Sequence, residues 1–249
     1  MNSHETQRWP LRGDLSVPQR RPQGFCTCRG ITLIEMMVVV ALVAILAAIA
    51  VPNLSDLFIN NRLSTAANEL VTAINTARSE AVRRGAVVTM QRCSAVDSTT
   101  GCAQASSSAA DWSKGWFIFV DSNRNREWSN GEEVLRVGQA VKPEANSPLT
   151  LYQNTLTIGS AATNGSVGFC PDGRMFGFDC AEKTAAGEWS TIFVLCYEGK
   201  LAAGNRPRSR AILVNREGRA RVATHDASGV PLNETETALT SCTAPNYQG

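Results

Sequence analysis

The sequence predicts an α+β protein: one long N-terminal helix, with a membrane half and an amphipathic half, packed on an antiparallel β-sheet head. Three observations predict it. No charged residue occurs from Met36 to Ser55. Beyond Pro52 apolar residues recur at three- and four-residue spacing, and after Gly85 the period falls to two, with Gly, Asn, Asp and Ser turns between short runs. The chain of 249 residues thus divides into a leader, 1–30, two helix halves, 31–53 and 54–85, and a β-rich head, 86–249.

The leader is polar, interrupted by Pro10, Pro18 and Pro22, and has no apolar period, which reads as unstructured. It holds five Arg against two acids, whereas the remainder carries 19 basic and 20 acidic residues. The leader is therefore positive and the rest nearly neutral. Cys26 and Cys28 in it could be a metal fragment, but no His or second pair accompanies them, so the plain reading is preferred. The uncharged run of 20 positions from Met36 to Ser55, at about 1.5 Å per residue, matches a hydrocarbon core about 30 Å thick. Basic residues ahead of such a span favour the cytoplasm, so everything after Pro52 would be exported.

Gly30, then Ile31-Thr32-Leu33-Ile34-Glu35, then an apolar run to Pro52 resembles the type IV prepilin signature. A secretory signal is cut after its apolar core; here the cut would come before it, and the helix would stay on the mature protein. The resemblance implies a prepilin peptidase cutting between Gly30 and Ile31, methylation of the new N-terminus at Ile31, and a fifth mature residue, Glu35, that faces the methylated amine of a neighbouring subunit. Two departures stand out: Ile31 replaces the commoner Phe or Met, and the leader is long. A carboxylate on an apolar helix costs several kcal/mol unless paired, so Glu35 would serve assembly and register rather than catalysis. The alternative is a carboxylate snorkelling to the interface. The protein implied is single-pass in the bacterial inner membrane, with a cytoplasmic N-terminus and periplasmic head, and then part of a pilus or pseudopilus beside other pilins or pseudopilins.

The second helix half is marked by Leu63, Ala66, Ala67, Leu70, Ile74, Ala77 and Ala81, with Arg62, Asn68, Glu69, Asn75, Arg78 and Arg83 largely between them. Pro52 is expected to bend the helix rather than end it. From Ile31 to Arg84 it would run roughly 80 Å. Its apolar stripe needs a partner.

The head supplies one. Strands are expected at Ala86–Arg92, Gly115–Asp121, Glu133–Val137, Thr155–Ile158, Ser166–Cys170, Arg174–Phe178, Thr191–Cys196, Ala211–Asn215 and Arg219–Thr224, with a loop over Ser94–Asp111. Six cysteines lie in the exported part, where an even number reads as disulfides, and six allow 15 connectivities. The pairing favoured is Cys93 with Cys102, Cys170 with Cys180, and Cys196 with Cys242. The helix end Thr76-Ala-Arg78-Ser-Glu80-Ala-Val-Arg-Arg-Gly85, a strand, and then Gly115-Trp-Phe-Ile-Phe-Val-Asp121 resemble the H-type, GspH-like pseudopilins and the FimT-like minor pilins of type IV pili.

Positive charge concentrates late in the chain. Lys200, Arg206, Arg208, Arg210, Arg216, Arg219 and Arg221 stand against one acid, Glu217, in the same stretch. In an extended chain Arg206, Arg208 and Arg210 share one face, as do Arg219 and Arg221. Asn215-Arg216-Glu217-Gly218 reads as a turn, so a hairpin would present arginines whose forks suit phosphate. Gly218-Arg219-Ala220-Arg221 also matches the Gly-Arg-x-Arg motif of FimT-like pilins, which implies binding of extracellular double-stranded DNA during natural transformation. Such binding would be sequence-independent. The competing reading is a solvated face, or pairing with acids of neighbouring subunits.

Asp121-Ser-Asn-Arg-Asn125-Arg126 with Glu132 partly resembles a calcium loop, but Arg126 stands where Gly is needed, and a hairpin turn explains it without metal. The exported part has one histidine, His225, read as a surface residue, with no nucleophile elbow and no phosphate loop. An enzyme and a cofactor are not expected. The function expected is that of a minor type IV pilin that supports assembly and binds DNA, or else of an H-type pseudopilin in type II secretion, or of a purely structural pilin.

Overall fold

A computed structural model of the chain describes residues 30–97, 99, 102–104, 110–141, 146–156, 165–176, 180 and 190–243, without the side chains of 49–53 and 154–156. The expected leader, apart from Gly30, lies outside the described residues, as do residues 157–158 of one expected strand, 177–178 of another and part of the Ser94–Asp111 loop. The chain forms two compact units, Met1–Ala48 and Ile49–Gly249.

Helix α1 runs from Leu33 to Arg84 over 52 residues and is helical through Pro52. Thr32 caps its start: the Thr32 hydroxyl accepts the Glu35 backbone N–H at 3.3 Å, satisfying one of the donors a helix N-terminus leaves open. Apart from Thr32 and Glu35, the side chains described in the first unit are apolar, and they are exposed, among them Ile34, Val40 and Leu46. Among the described residues no helical stretch is long and apolar enough to cross a membrane; the described side chains of the apolar run stop at Ala48.

Among the described residues of the second unit eleven strands follow the helix: β1 Val88–Arg92, β2 Trp116–Val120, β3 Val134–Gly138, β4 Leu149–Leu156, β5 Ser166–Phe169, β6 Met175–Phe176, β7 Ser190–Tyr197, β8 Ala202–Ala203, β9 Arg206–Pro207, β10 Ser209–Val214 and β11 Ala220–Val222. They pair antiparallel in three sheets, ordered β3-β2-β1-β5-β6, β11-β10-β7-β4 and β8-β9. The expected antiparallel β-sheet head is present and consists, among the described residues, of two sheets and a ribbon. β4 starts earlier than the expected Thr155, at Leu149, where Leu149-Thr-Leu-Tyr152 already alternates, and the two-residue ribbon was too short to carry a period.

The core explains the split. Leu63, Ala67, Leu70, Ile74, Ala77 and Ala81 of α1 bury against alternate residues of both sheets: Val88 and Met90, Trp116 and Ile118, Phe193 and Leu195, Ile212 and Val214. A helix face this wide covers two sheets at once. The large side chains Trp112 and Phe193 meet edge to face at 5.0 Å, and the Trp112 indole N–H donates to Gln153 at 2.8 Å, so its polar atom is satisfied inside. The other face of β7 and β10, with Ile192, Val194, Cys196 and Leu213, is covered by the C-terminal segment through Ala223, Leu239 and Cys242. The disulfides Cys93–Cys102, Cys170–Cys180 and Cys196–Cys242 are present, the pairing favoured above. The first two close sequence separations of 9 and 10 residues, and the third closes 46.

Candidate functional site

The arginine-rich stretch folds back on itself as β10 and β11, paired Ile212 with Val222, Leu213 with Arg221 and Val214 with Ala220. Asn215 builds the turn between them. Its carbonyl accepts the Gly218 N–H at 2.9 Å and its side-chain oxygen accepts the Arg219 N–H at 2.9 Å, while Gly218 takes a φ of 73° that suits glycine. β11 is the outer strand of its sheet, so the hairpin lies at an edge. Arg219 and Arg221 are exposed there, and no carboxylate among the described residues bonds either side chain. Arg216 is half-buried and its carbonyl accepts the Met175 N–H at 2.9 Å. Glu217 is exposed.

The other basic residues are committed elsewhere. Spacing by two does put Arg206, Arg208 and Arg210 on one face, but that face is turned toward α1. Arg206 and Arg208 both pair with Asp56, Arg208 at 2.6 Å, and Arg210, one turn along the helix, reaches the Asn60 side chain at 3.3 Å. Lys200 pairs with Glu198 at 3.3 Å. Counting Glu217 as the only acid of the stretch held for the sequence and fails in space, because the fold brings in Asp56 from about 150 residues away and Glu198 from two residues upstream. Without a bonded carboxylate among the described residues are Arg210, half-buried against Asn60, and Arg216, Arg219 and Arg221 of the hairpin, whose turn also holds the exposed Glu217.

His225 is half-buried rather than on the surface. Its Nε2 lies 3.1 Å from the Ser209 carbonyl and 3.4 Å from the Arg210 guanidinium. Burial pushes its pKa below the ordinary value of 6.5; the Ser209 carbonyl and Asp226 oppose this, and Arg210 adds to it. A lowered pKa means that the unfolded chain takes up the proton first. The stability His225 contributes is therefore present above about pH 6.5 and lost as pH falls through the lowered value. Melting at pH 7.5 and pH 5.5 should show a smaller drop in His225→Gln than in the parent; an equal drop would remove His225 from the acid response.

The loop after β2 is a closed turn. Asp121 accepts from the Thr89 hydroxyl at 2.9 Å and from the N–H groups of Asn125 and Arg126 at 3.1 and 2.9 Å, and Glu132 accepts from the N–H groups of Ser122 and Ser129 at 2.9 and 2.8 Å. Both carboxylates therefore bond the loop's own backbone, and Arg126 adopts a φ of 63°. At the helix start, Gly30, Ile31 and Glu35 are exposed, and among the described residues the Glu35 carboxylate meets no partner.

Two residues at the hairpin were not singled out as site residues from the sequence. Arg78 of α1 donates from Nε to the Gly173 carbonyl at 2.8 Å, and Gly173 lies directly under Gly218. The sequence signal available was the Asp172-Gly173 turn after β5, which says nothing about its neighbour in space.

The family model described as type II transport protein GspH matches residues 66–218, and that of the prokaryotic N-terminal methylation motif matches residues 26–51. The chain is 35% identical over 109 residues to the pilin-like protein PilA1 of Thermus thermophilus, covering 43% of this chain and 57% of that one. It is 44% identical over 57 residues to a fimbrial protein of Pseudomonas aeruginosa, covering 23% of this chain and 36% of the other. The match thus spans about half or less of the length of these relatives. Two crystal forms of the Pseudomonas aeruginosa type IV minor pilin FimU align with TM-scores of 0.41 and 0.42 at 22% identity, over 72% and 74% of this chain and 99% and 96% of theirs.

Proposed function

As this chain belongs to the GspH family of type II transport proteins and carries the N-terminal methylation motif, we propose that it is a minor type IV pilin whose head binds duplex DNA without sequence preference through the β10–β11 hairpin. In this reading prepilin peptidase cuts after Gly30, Ile31 is methylated, and the apolar half-helix, 31–53, holds the protein in the inner membrane with its head in the periplasm. The same half-helix then packs among other pilins, with Glu35 against a neighbour's N-terminal amine.

The observation that carries the DNA reading is the exposure of Arg219 and Arg221 at a sheet edge, with no bonded carboxylate among the described residues, while Arg206 and Arg208 are paired. Unpaired guanidinium groups at an edge can reach phosphates, and phosphate contact carries no base identity. Anisotropy titration of the full-length protein in detergent, with two labelled duplexes of unrelated sequence, tests it. Equal affinities support the reading; absent binding, or a strong preference for one sequence, contradicts it.

Glu35 supplies a second test. On an apolar helix an unpaired carboxylate is costly, so its neighbour's amine stabilises the packed state rather than the isolated one. Glu35→Ala should leave the protein in the membrane fraction and strongly reduce its amount in sheared fibres; wild-type incorporation would remove Glu35 from assembly.

The description of the matching family favours a second reading, a pseudopilin of a type II secretion system, in which the head touches a secreted protein. Failure of the DNA titration, together with lost protein secretion and intact pili in cells lacking this chain, is the result that selects it.

A further inference from the structure

The structure assigns Arg78 a positioning role at the arginine hairpin, an inference that rests on the DNA-binding reading above. Three segments distant in sequence meet there. From α1, Arg78 Nε donates to the Gly173 carbonyl at 2.8 Å, across 95 residues. Gly218 approaches the same carbonyl so closely that a Cβ there would stand 2.4 Å from it, and 3.2 Å from Arg78 Cδ and Nε. Next to this contact the Met175 N–H donates to the Arg216 carbonyl at 2.9 Å.

The glycine of the Gly-Arg-x-Arg stretch thus has two tasks. Its φ of 73° closes the turn, and its missing side chain lets the turn sit on the Gly173 carbonyl. A side chain at 218 would fail at both. The carbonyl is fixed by Arg78, so the helix sets where Arg219 begins. Arginine suits this task and lysine does not: Nε bonds sideways from the stem while the rest of the planar fork stays in place, a geometry a terminal ammonium cannot copy. Holding Arg219 and Arg221 at a fixed spacing before they meet phosphates lowers the ordering cost of binding. Arg78 acts through the turn; Arg219 and Arg221 make the contacts.

The test is a mutant cycle on the full-length protein in detergent, read by anisotropy with a labelled duplex. Arg78→Lys, which keeps the charge, should weaken binding by roughly threefold to tenfold, as expected for coupled neighbours. In the Arg219→Ala/Arg221→Ala background the same change should have no further effect. Wild-type affinity in Arg78→Lys overturns the inference, and so does an equal loss in both backgrounds, which would make Arg78 an independent phosphate contact. A melting curve of each variant separates misfolding from lost binding. Amide exchange at Met175 provides an arm that needs no DNA: Arg78→Lys should speed exchange of this N–H, which is held by the Arg216 carbonyl, and unchanged exchange overturns the positioning role even if the parent binds no DNA.

Discussion

The Arg219→Ala/Arg221→Ala variant is expected to bind duplex DNA roughly 200-fold more weakly than the parent at about 50 mM salt, because each lost phosphate contact removes about 0.9 from the slope of log affinity against log salt. Two contacts remove about 1.8, and extrapolated from about 1 M salt, where counterion release contributes little, to about 50 mM, that difference in slope grows to the stated factor. Stability should hardly change, since both side chains are exposed and bond no carboxylate among the described residues; surface changes of this kind stay within about 0.5 kcal/mol. Arg206→Ala is the matched control. Its guanidinium is paired with Asp56, so its removal should cost little affinity. A loss in the double variant no larger than in the control would take the hairpin out of the account.

Removing the Cys196–Cys242 disulfide should cost about 4 kcal/mol, the largest stability effect expected from the three bridges. The loop it closes has a sequence separation of 46, and loop-closure entropy grows with length, so the two bridges closing 9 and 10 residues contribute less on this model. The native side has its own reason. Cys242 anchors the segment whose Ala223 and Leu239 cover Ile192, Val194 and Leu213, and without that anchor the outer face of β7 and β10 can open to water. Denaturant unfolding of Cys196→Ala/Cys242→Ala against the parent measures it. A difference below about 1 kcal/mol would mean that the C-terminal cover holds without its staple.

Much of this architecture could be read from residue order, and the parts that could not share a cause. The helix was legible because Leu63, Leu70, Ile74 and Ala81 repeat along one face, and β2 and β7 because runs such as Trp116–Val120 and Thr191–Cys196 stand between clear turns. Two of the disulfides, Cys93–Cys102 and Cys170–Cys180, were legible as local loops, whereas Cys196 and Cys242, 46 residues apart, carry no such signal. What order along the chain does not contain is proximity across it. Asp56 and Arg208 are 152 residues apart and only the fold makes them a pair, so a stretch that counts as strongly basic in sequence is half neutralised in space. The same holds for Arg78 and Gly173. The division into two sheets was hidden for a different reason: alternation shows that a strand has two faces, but not which sheet receives it. β8 and β9, at two residues each, are shorter than any period.

The most direct measurement is the salt dependence of duplex binding by the full-length protein beside its Arg219→Ala/Arg221→Ala variant. The account predicts a straight line of log affinity against log salt for the parent, and a line shallower by about 1.8 for the variant. Parallel lines for the two proteins, or no binding by the parent at about 50 mM salt, where phosphate contacts count most, would contradict it.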